Sequence, residues 1–258
     1  MIKTKNVSLN YGDKVVLENI SLHFKKDKFY GIIGPNGVGK STLLKSIIGY
    51  FAPKSGEIFI KDKLISEYSH HDLAKIISLI PQTINLQFDY TVREIVLMGR
   101  YPYISYFRGY SKEDYEICDR ILNRLDLWKY KDTNFTNLSG GEQQRSIIAR
   151  ALVQDTPIIL LDEAFSHLDL HHQLELVEWL KNINENDNKL IIMVSHQLNL
   201  AFEFCNELII LKDKNVMMTG KPEEIITTEM IQKIYGKKLF VNENPHSKRP
   251  NIFFSGKL

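Results

Sequence analysis

The sequence predicts an α/β fold in which a mainly parallel sheet forms the core, with an antiparallel β subdomain at the N-terminus and an inserted α-helical subdomain. Short, wholly apolar segments alternate with helical ones, as expected for strands that are buried on both faces of a parallel sheet. Residues 1–30 instead alternate and turn often. Residues from about 83 to 152 carry helical periods and few strand signals, which predicts that the insertion lies there.

The elements of the first eighty residues follow from turn signals and apolar runs. Tyr11-Gly12-Asp13 predicts a turn between two strands, the second of which covers Val15–Phe24. The apolar run Phe29–Ile33 predicts a buried strand, and Thr42–Tyr50 predicts the helix after it. Three shorter elements are then expected, namely a strand at Glu57–Ile60, one or two helical turns at Asp72–Ile77 and a strand at Ile77–Ile80.

The remaining elements are first helical and then alternate. The insertion is predicted to hold helices at Val92–Gly99, Lys112–Leu125 and Gly141–Leu152. Buried strands are predicted at Ile158–Leu161, Leu190–Val194 and Leu208–Leu211, with a long amphipathic helix at Leu170–Ile183. Residues 1–238 are predicted to form one domain, and the polar residues 239–258 a tail or small edge element.

Composition excludes several classes of protein. The chain has 258 residues, of which 43% are hydrophobic and 25% charged, as in ordinary globular proteins. A net charge of +2 gives no strong field for nucleic acid. The two cysteines, Cys118 and Cys205, have no metal-site spacing and suit a reducing compartment. Without a run of 18 apolar residues or a secretory signal, we expect any membrane-spanning part to belong to another chain.

The most informative motif is a glycine-rich loop between the strand Phe29–Ile33 and the helix that follows it. It fits the pattern G-x-x-x-x-G-K-[ST], whose backbone N–H groups and helix N-terminus bind phosphates. Lys40 is expected to reach the β- and γ-phosphates of a nucleotide, and Ser41 to hold Mg²⁺. The predicted loop comprises Gly34, Pro35, Asn36, Gly37, Val38, Gly39, Lys40, Ser41 and Thr42.

A second motif narrows the class of nucleotide-binding protein. Leu138-Ser139-Gly140-Gly141-Glu142, followed by Gln143-Gln144-Arg145, resembles the signature sequence of ABC-transporter ATPases. A serine hydroxyl and glycine N–H groups at a helix start form another anion site. The alternative is a glycine C-cap that joins two helices. In the family, each signature closes over the ATP held by the phosphate loop of the other subunit, which implies a second copy of this chain as partner.

The resemblance implies roles for the residues at the ends of two strands. Ile158–Glu163 resembles the Walker B segment, in which Asp162 would hold Mg²⁺ and Glu163 would act as general base on the attacking water. Gln82 matches the Q-loop glutamine, which touches Mg²⁺ or that water. His196 matches the switch histidine, which contacts the γ-phosphate. The resemblance thus implies catalytic roles for Glu163, His196 and Gln82, and metal binding by Ser41, Gln82 and Asp162.

Two further positions match the family less specifically. Ser166-His167-Leu168-Asp169 resembles the D-loop, with Asp169 crossing to the partner subunit; Asp169 is also a candidate N-cap for the next helix. Tyr11 matches the aromatic residue that stacks on adenine. The chain departs from the usual pattern with Ala164 after Glu163 and with His167 where a small residue is frequent.

One segment resembles a particular subfamily. Tyr90–Tyr103 is similar to the start of the helical subdomain in importers of ferric siderophores, haem and cobalamin, where this region docks the permease. The nearby aromatic residues either supply that contact surface or pack under a local loop. They are Tyr101, Tyr103, Tyr106, Phe107 and Tyr110.

The resemblance implies an ATP-hydrolysing subunit of a metal-chelate importer that uses ATP and Mg²⁺. Its partners would be a second copy, transmembrane permease subunits and, indirectly, a substrate-binding protein, at the cytoplasmic face of the cell membrane. An ATPase subunit for manganese or zinc uptake, or for export, has the same core and remains open. A soluble ABC ATPase that acts on DNA or ribosomes is disfavoured, because the chain is nearly neutral and has one phosphate loop.

Overall fold

The computed structural model describes residues 1–82, 89–104, 109–166, 168–237 and 239–253, which divide into two compact units. Unit 1 comprises Met1–Glu67 and Glu178–Leu258, and unit 2 comprises Tyr68–Val177. The predicted positions 83–88, Tyr106, Phe107 and His167 lie outside the described residues.

Twelve strands are found in the described ranges: β1 Ile2–Tyr11, β2 Lys14–Phe24, β3 Phe29–Ile33, β4 Ser55–Ile60, β5 Lys63–Leu64, β6 Ile77–Ile80, β7 Ile158–Asp162, β8 Leu190–Val194, β9 Glu207–Lys212, β10 Asn215–Gly220, β11 Phe240–Glu243 and β12 Pro250–Phe253. The same ranges hold nine α-helices: α1 Lys40–Ile47, α2 His70–Ala74, α3 Val92–Leu97, α4 Lys112–Arg124, α5 Gly140–Leu152, α6 Leu170–Asn186, α7 Leu198–Phe204, α8 Pro222–Ile225 and α9 Thr228–Tyr235.

The N-terminal part of unit 1 is an antiparallel sheet in the order β2-β1-β4-β5. Buried and exposed residues alternate along β1, as they do when one face of a sheet packs on a core. Gly12 and Asp13 connect β1 to β2, and Tyr11 pairs with Lys14 across this turn. The predicted antiparallel subdomain is confirmed.

The core of unit 1 is built around β3, which lies between β8 and β9 and runs parallel to both. All five residues of β3 and of β8 are buried, which explains why both strands are continuous apolar runs in the sequence. Ile32 pairs with Val194, and Ile33 with Ile210, so the three strands end at the same edge. The predicted parallel core is therefore confirmed, and residues that follow β3 and β8 are neighbours.

Cys205 packs against this core rather than facing solvent. Its Sγ would lie 2.9 Å from a Cβ added at Gly31, so α7's end and β3 are in close contact. Burial raises the pKa of the Cys205 thiol to about 12. A thiol in this state is an inert apolar core residue.

Unit 2 combines a two-stranded parallel pair with helices. Strand β6 pairs with β7 from Ile77 with Ile158 to Ile80 with Leu161, so both strands end together. Helices α3, α4 and α5 pack on one another. A Cβ at Gly99 would lie 2.0 Å from the carbonyl oxygen of Arg150, which requires glycine where the chain leaves α3 and crosses α5.

The element boundaries differ from the predicted ones mainly outside the long apolar runs. Helix α3 ends at Leu97, and a 3₁₀ segment continues from Met98 to Tyr103. The polar tail holds an antiparallel hairpin, β11 with β12, which Asn199 and Arg249 connect to α7. Among the described residues, no helix combines the length and apolarity needed to cross a membrane.

Candidate functional site

The glycine-rich loop connects the end of β3 to the start of α1 in unit 1. Gly34 has φ 151° and a Cβ there would lie 2.2 Å from the carbonyl oxygen of Leu211, so only glycine fits. Gly39 is the N-cap of α1 with φ 108°, and a Cβ there would meet Val16 at 2.8 Å. The loop is therefore held tightly against the sheet, with the α1 N-terminus at its end.

Lys40 turns back over this loop. Its side chain is buried, and Nζ donates to the carbonyl oxygens of Gly34 and Pro35, each at 2.9 Å. A buried ammonium beside a helix N-terminus is a site for a polyanion. Ser41, the next residue, is half-buried in the first turn of α1.

Tyr235, at the end of α9, was not predicted as part of the site. Burial raises the pKa of its phenol to about 12, although a backbone hydrogen bond from Gly34 opposes this rise. The first glycine of the loop is thus supported by a C-terminal helix. A tyrosine in a short amphipathic helix carries no motif, so the sequence held no signal for this contact.

Tyr11 lies at the end of β1, and its ring is exposed. The rings of Tyr11 and Phe51 pack edge to face with their centroids 5.8 Å apart, and those of Phe51 and Tyr50 pack in the same way at 4.9 Å. Phe51 and Tyr50 were not predicted. An exposed aromatic ring that is supported by a neighbouring ring offers apolar surface on which a base can stack.

His196 follows β8 and is exposed. Ser195 shapes the turn, because its Oγ accepts from the N–H of Gln197 at 3.0 Å and its N–H donates to the carbonyl of Ile32 at 3.4 Å. The parallel register of β3 and β8 therefore brings the His196 segment and the glycine-rich loop to the same edge of unit 1.

Gln82 and Glu163 meet in unit 2, where they follow β6 and β7. The Gln82 amide donates to Glu163 Oε2 at 2.8 Å, although 81 positions separate the two residues in sequence. Glu163 has φ 51°, a left-handed conformation that costs a non-glycine residue free energy. Asp162, the last residue of β7, is buried. The sequence predicted these residues, and the structure adds the hydrogen bond and the backbone strain.

The signature segment starts a helix rather than ending one. Ser139 is the N-cap of α5 in a capping box with Glu142, whose carboxylate accepts from the Ser139 N–H at 2.9 Å. Hydrogen bonds from Tyr130 and Ser139 lower the pKa of Glu142 to about 2. A Cβ atom added at Gly140 would have no atom within 4 Å, so there is open space beside the first turn of α5. The alternative of a glycine C-cap is wrong.

Asp169 caps the N-terminus of α6. Its Oδ1 accepts from the backbone N–H of His172 at 3.0 Å, and its Oδ2 is 2.7 Å from His172 Nδ1. The backbone just before it is fixed by two buried amides: Gln144 donates to the Ala164 carbonyl at 2.7 Å, and Gln173 donates to the Leu168 carbonyl at 2.6 Å.

The aromatic residues of the helical region divide into two kinds. Tyr101 is 72% exposed, whereas the hydroxyl of Tyr103 donates to the carbonyl of Gln154 at 2.9 Å. Arg100, which directly precedes Tyr101, is buried and forms an ion pair with Asp114 at 2.7 Å. Tyr110 packs edge to face on Tyr115, with the ring centroids 6.2 Å apart. Tyr101 is therefore an exposed ring on a fixed backbone, and Tyr103 is part of the local packing.

A phosphate-binding loop at the end of a parallel strand and an open helix N-terminus at a serine-glycine-glycine sequence define an ATP-binding cassette. Residues 17–166 match the ABC transporter family. The chain belongs to this family of ATPases.

Its similarity to curated relatives extends over almost the whole length. It is 37% identical to the petrobactin import ATP-binding protein FpuC of Bacillus anthracis over 257 residues, which cover 100% of this chain and 93% of the relative. It is 34% identical to the ferric enterobactin transport ATP-binding protein FepC of Escherichia coli (strain K12), with 97% and 93% covered.

Solved structures agree with the fold. An ABC transporter assigned to the metal-chelate type, in an inward-facing conformation, matches with a TM-score of 0.84 at 27% identity and covers 100% of this chain and 99% of its own. A dimeric ATP-binding cassette in a post-hydrolysis state, bound to ADP and Pi, matches with a TM-score of 0.77 at 33% identity over 86% and 98% of the chains.

Proposed function

We propose that this chain is the ATP-hydrolysing subunit of an importer for a metal chelate, such as a ferric siderophore, haem or cobalamin. The observation that carries the proposal is full-length similarity to relatives named for petrobactin import and ferric enterobactin transport. The similarity to a transporter of the metal-chelate type supports the same class of cargo. ATPase subunits for manganese or zinc uptake, or for export, are the competing assignments.

The nucleotide is bound by the phosphate loop in this proposal. Lys40 exchanges its carbonyl partners in the loop for the β- and γ-phosphates, and the N–H groups at the α1 N-terminus donate to the same anion. The exposed ring of Tyr11 stacks on adenine. Tyr235 keeps Gly34 in place while the anion is bound.

Hydrolysis is assigned to Glu163, which polarises the attacking water. The Gln82 amide holds the Glu163 carboxylate in place, and His196 orients the water against the γ-phosphate. The hydroxyl, amide and carboxylate oxygens of Ser41, Gln82 and Asp162 are ligands that Mg²⁺ prefers, so the donor set fits the ion. When bound, Mg²⁺ neutralises charge on the β- and γ-phosphate oxygens. The assignment of these three residues to one Mg²⁺ ion rests on the sequence motifs in which they occur.

A second copy completes each site in this proposal. Ser139 and the open first turn of α5, with Gly140 and Gly141, bind the γ-phosphate held by the other subunit. Glu142 takes part through the capping box that holds Ser139, and Asp169 crosses to that subunit. The dimeric cassette bound to ADP and Pi supports this arrangement. Transmembrane permease subunits and, indirectly, a substrate-binding protein are the further partners. The chain would act at the cytoplasmic face of the cell membrane.

The cargo is tested by uptake in cells that lack this gene. Complementation with the wild-type gene should restore uptake of a radiolabelled ferric siderophore, haem or cobalamin, and should leave Mn²⁺ and Zn²⁺ uptake unchanged. Restored Mn²⁺ or Zn²⁺ uptake without any chelate uptake would refute the metal-chelate assignment and leave the ATPase assignment intact.

The permease contact is tested at Tyr101, because its ring is exposed while Tyr103 is engaged locally. We expect Tyr101→Ala to lower chelate uptake at least about tenfold, as truncation of an interface aromatic does. ATPase activity of the purified protein should stay within about twofold. Phe240→Ala removes a similarly exposed ring from β11 and is the control. Normal uptake by the Tyr101 variant would contradict the docking role.

A further inference from the structure

Three side chains in unit 2 form a continuous polar chain from the signature helix to the D-loop. The Arg145 guanidinium, on α5, contacts His172 Nε2, and His172 Nδ1 is 2.7 Å from Asp169 Oδ2. Arg145 lies two turns into the helix that Ser139 caps. His172 thus joins a segment that resembles the ABC signature to one that resembles the D-loop.

The partners of His172 determine its tautomer. A guanidinium can only donate hydrogen bonds and an ionised carboxylate can only accept them. The two contacts match the tautomer of His172 in which Nδ1 donates to Asp169 and Nε2 accepts from Arg145. Both ring nitrogens of His172 therefore have a partner.

The contact does more than cap a helix. The capping bond uses Asp169 Oδ1 and the His172 backbone N–H, and it needs no imidazole. The imidazole engages the second oxygen, Oδ2, and so fixes the rotation of a carboxylate whose side chain is 65% exposed. Gln144 and Gln173 already hold the backbone that precedes Asp169. What remains for His172 to fix is the orientation of the Asp169 carboxylate.

We propose that His172 is a positioning residue for ATP hydrolysis, which orients Asp169 toward the partner subunit and ties that orientation to the signature helix through Arg145. The proposal rests on the proposed role of Asp169 across the dimer. A displacement of α5 would reach Asp169 through two hydrogen bonds. His171, the adjacent residue, is exposed, and its Nε2 is 3.5 Å from Glu175. Its ring packs edge to face on that of His172 with the ring centroids 5.4 Å apart, so its removal tests whether ring packing alone accounts for the effect.

The test measures steady-state ATPase kinetics of the full-length protein for four single variants and one double variant. His172→Ala removes both contacts, and His172→Asn places an amide donor near the Nδ1 position, which retains the contact with Asp169. His171→Ala is the matched control. Asp169→Asn keeps a good N-cap residue but removes the carboxylate. Melting temperatures establish that each variant folds.

We expect His172→Ala to lower kcat about tenfold, as misplacement of a positioned group does, with KM for ATP within about twofold. His172→Asn should recover part of this loss, and His171→Ala should match the wild type. The decisive comparison uses the double variant. Once Asp169→Asn is present, His172→Ala should lower kcat no further.

A wild-type kcat for His172→Ala would overturn the proposal, and so would a double variant whose loss of kcat is the product of the two single losses. A wild-type kcat for Asp169→Asn would also overturn it, because His172 would then have nothing to position. That result differs from failure of the proposed function, which would appear as absence of ATPase activity in the wild-type protein.

Discussion

Lys40 is a buried cation that donates to two uncharged carbonyl oxygens, Gly34 and Pro35. A phosphate oxygen is a stronger acceptor for an ammonium than a carbonyl oxygen, because both partners are then charged. Glu163 shows a related feature, since its φ of 51° is maintained at a cost in free energy while its carboxylate binds Gln82. At both residues the structure maintains an arrangement that a bound nucleotide would use.

We expect Lys40→Ala to weaken ATP binding at least about tenfold, because a charge-assisted hydrogen bond to phosphate contributes about 1.5–3 kcal/mol. Lys45→Ala, an exposed position in the last turn of the same helix, is the control. Fluorescence titration with a labelled ATP analogue measures both. Unchanged affinity in the Lys40 variant would remove the phosphate-loop assignment.

At the scale of elements, a buried ion pair holds the helical region of unit 2 together. Arg100 Nε donates to Asp114 at 2.7 Å, and Nη1 donates to the carbonyl of Val153 at 2.9 Å. Asp114 also closes the capping box of α4 with Ser111. One guanidinium therefore joins the 3₁₀ segment that carries Tyr101 to the start of α4 and the end of α5.

Replacement of Arg100 by Met should lower the free energy of unfolding by about 3 kcal/mol, because Asp114 then remains as a buried charge without its partner. Lys112→Met, in the first turn of α4, removes a fully exposed cation and should change stability by less than about 0.5 kcal/mol. Urea denaturation of both variants measures the difference. Equal stability would show that the ion pair does not hold these elements together.

The sequence predicts best those helices and strands whose bounds depend on their own residues. Strands β3 and β8 are continuous apolar runs, and their observed bounds equal the predicted ones. Helices α7, α8 and α9 and the hairpin β11–β12 are short, and contacts distant in sequence decide them, such as that of Arg249 with the carbonyl of Cys205. The local periodicity of a sequence does not predict such contacts.

The candidate site likewise contains residues that local sequence predicts and contacts that it does not. Lys40 and Glu163 stand in motifs and were predicted as site residues from their immediate neighbours in sequence. The support that Tyr235 gives to Gly34, and the contacts of His172 with Arg145 and Asp169, join residues that no local pattern relates. Catalytic roles for Glu163, His196 and Gln82 stay predictions until they are measured.

At the scale of the whole molecule, the proposed ATP site needs two copies of the chain. The phosphate loop belongs to unit 1, and the open N-terminus of α5 to unit 2. In the ABC family the second of these serves the nucleotide of the partner subunit, so one copy would bind ATP without completing a site. We therefore expect dimer formation to depend on ATP.

Glu163→Gln keeps an amide of the same size at the position of the general base. We expect its ATP turnover to fall at least about 100-fold, because the proton acceptor is lost, while ATP binding persists. Bound ATP should then accumulate the closed dimer. Lys40→Ala in the Glu163→Gln background should stay monomeric, since it lacks the phosphate contact.

Light scattering of Glu163→Gln at saturating ATP measures dimer formation directly. We expect a mass twice that of the 30.0 kDa chain with ATP, and the monomer mass without it. A monomer at saturating ATP would contradict the proposal that each site is completed by a second copy.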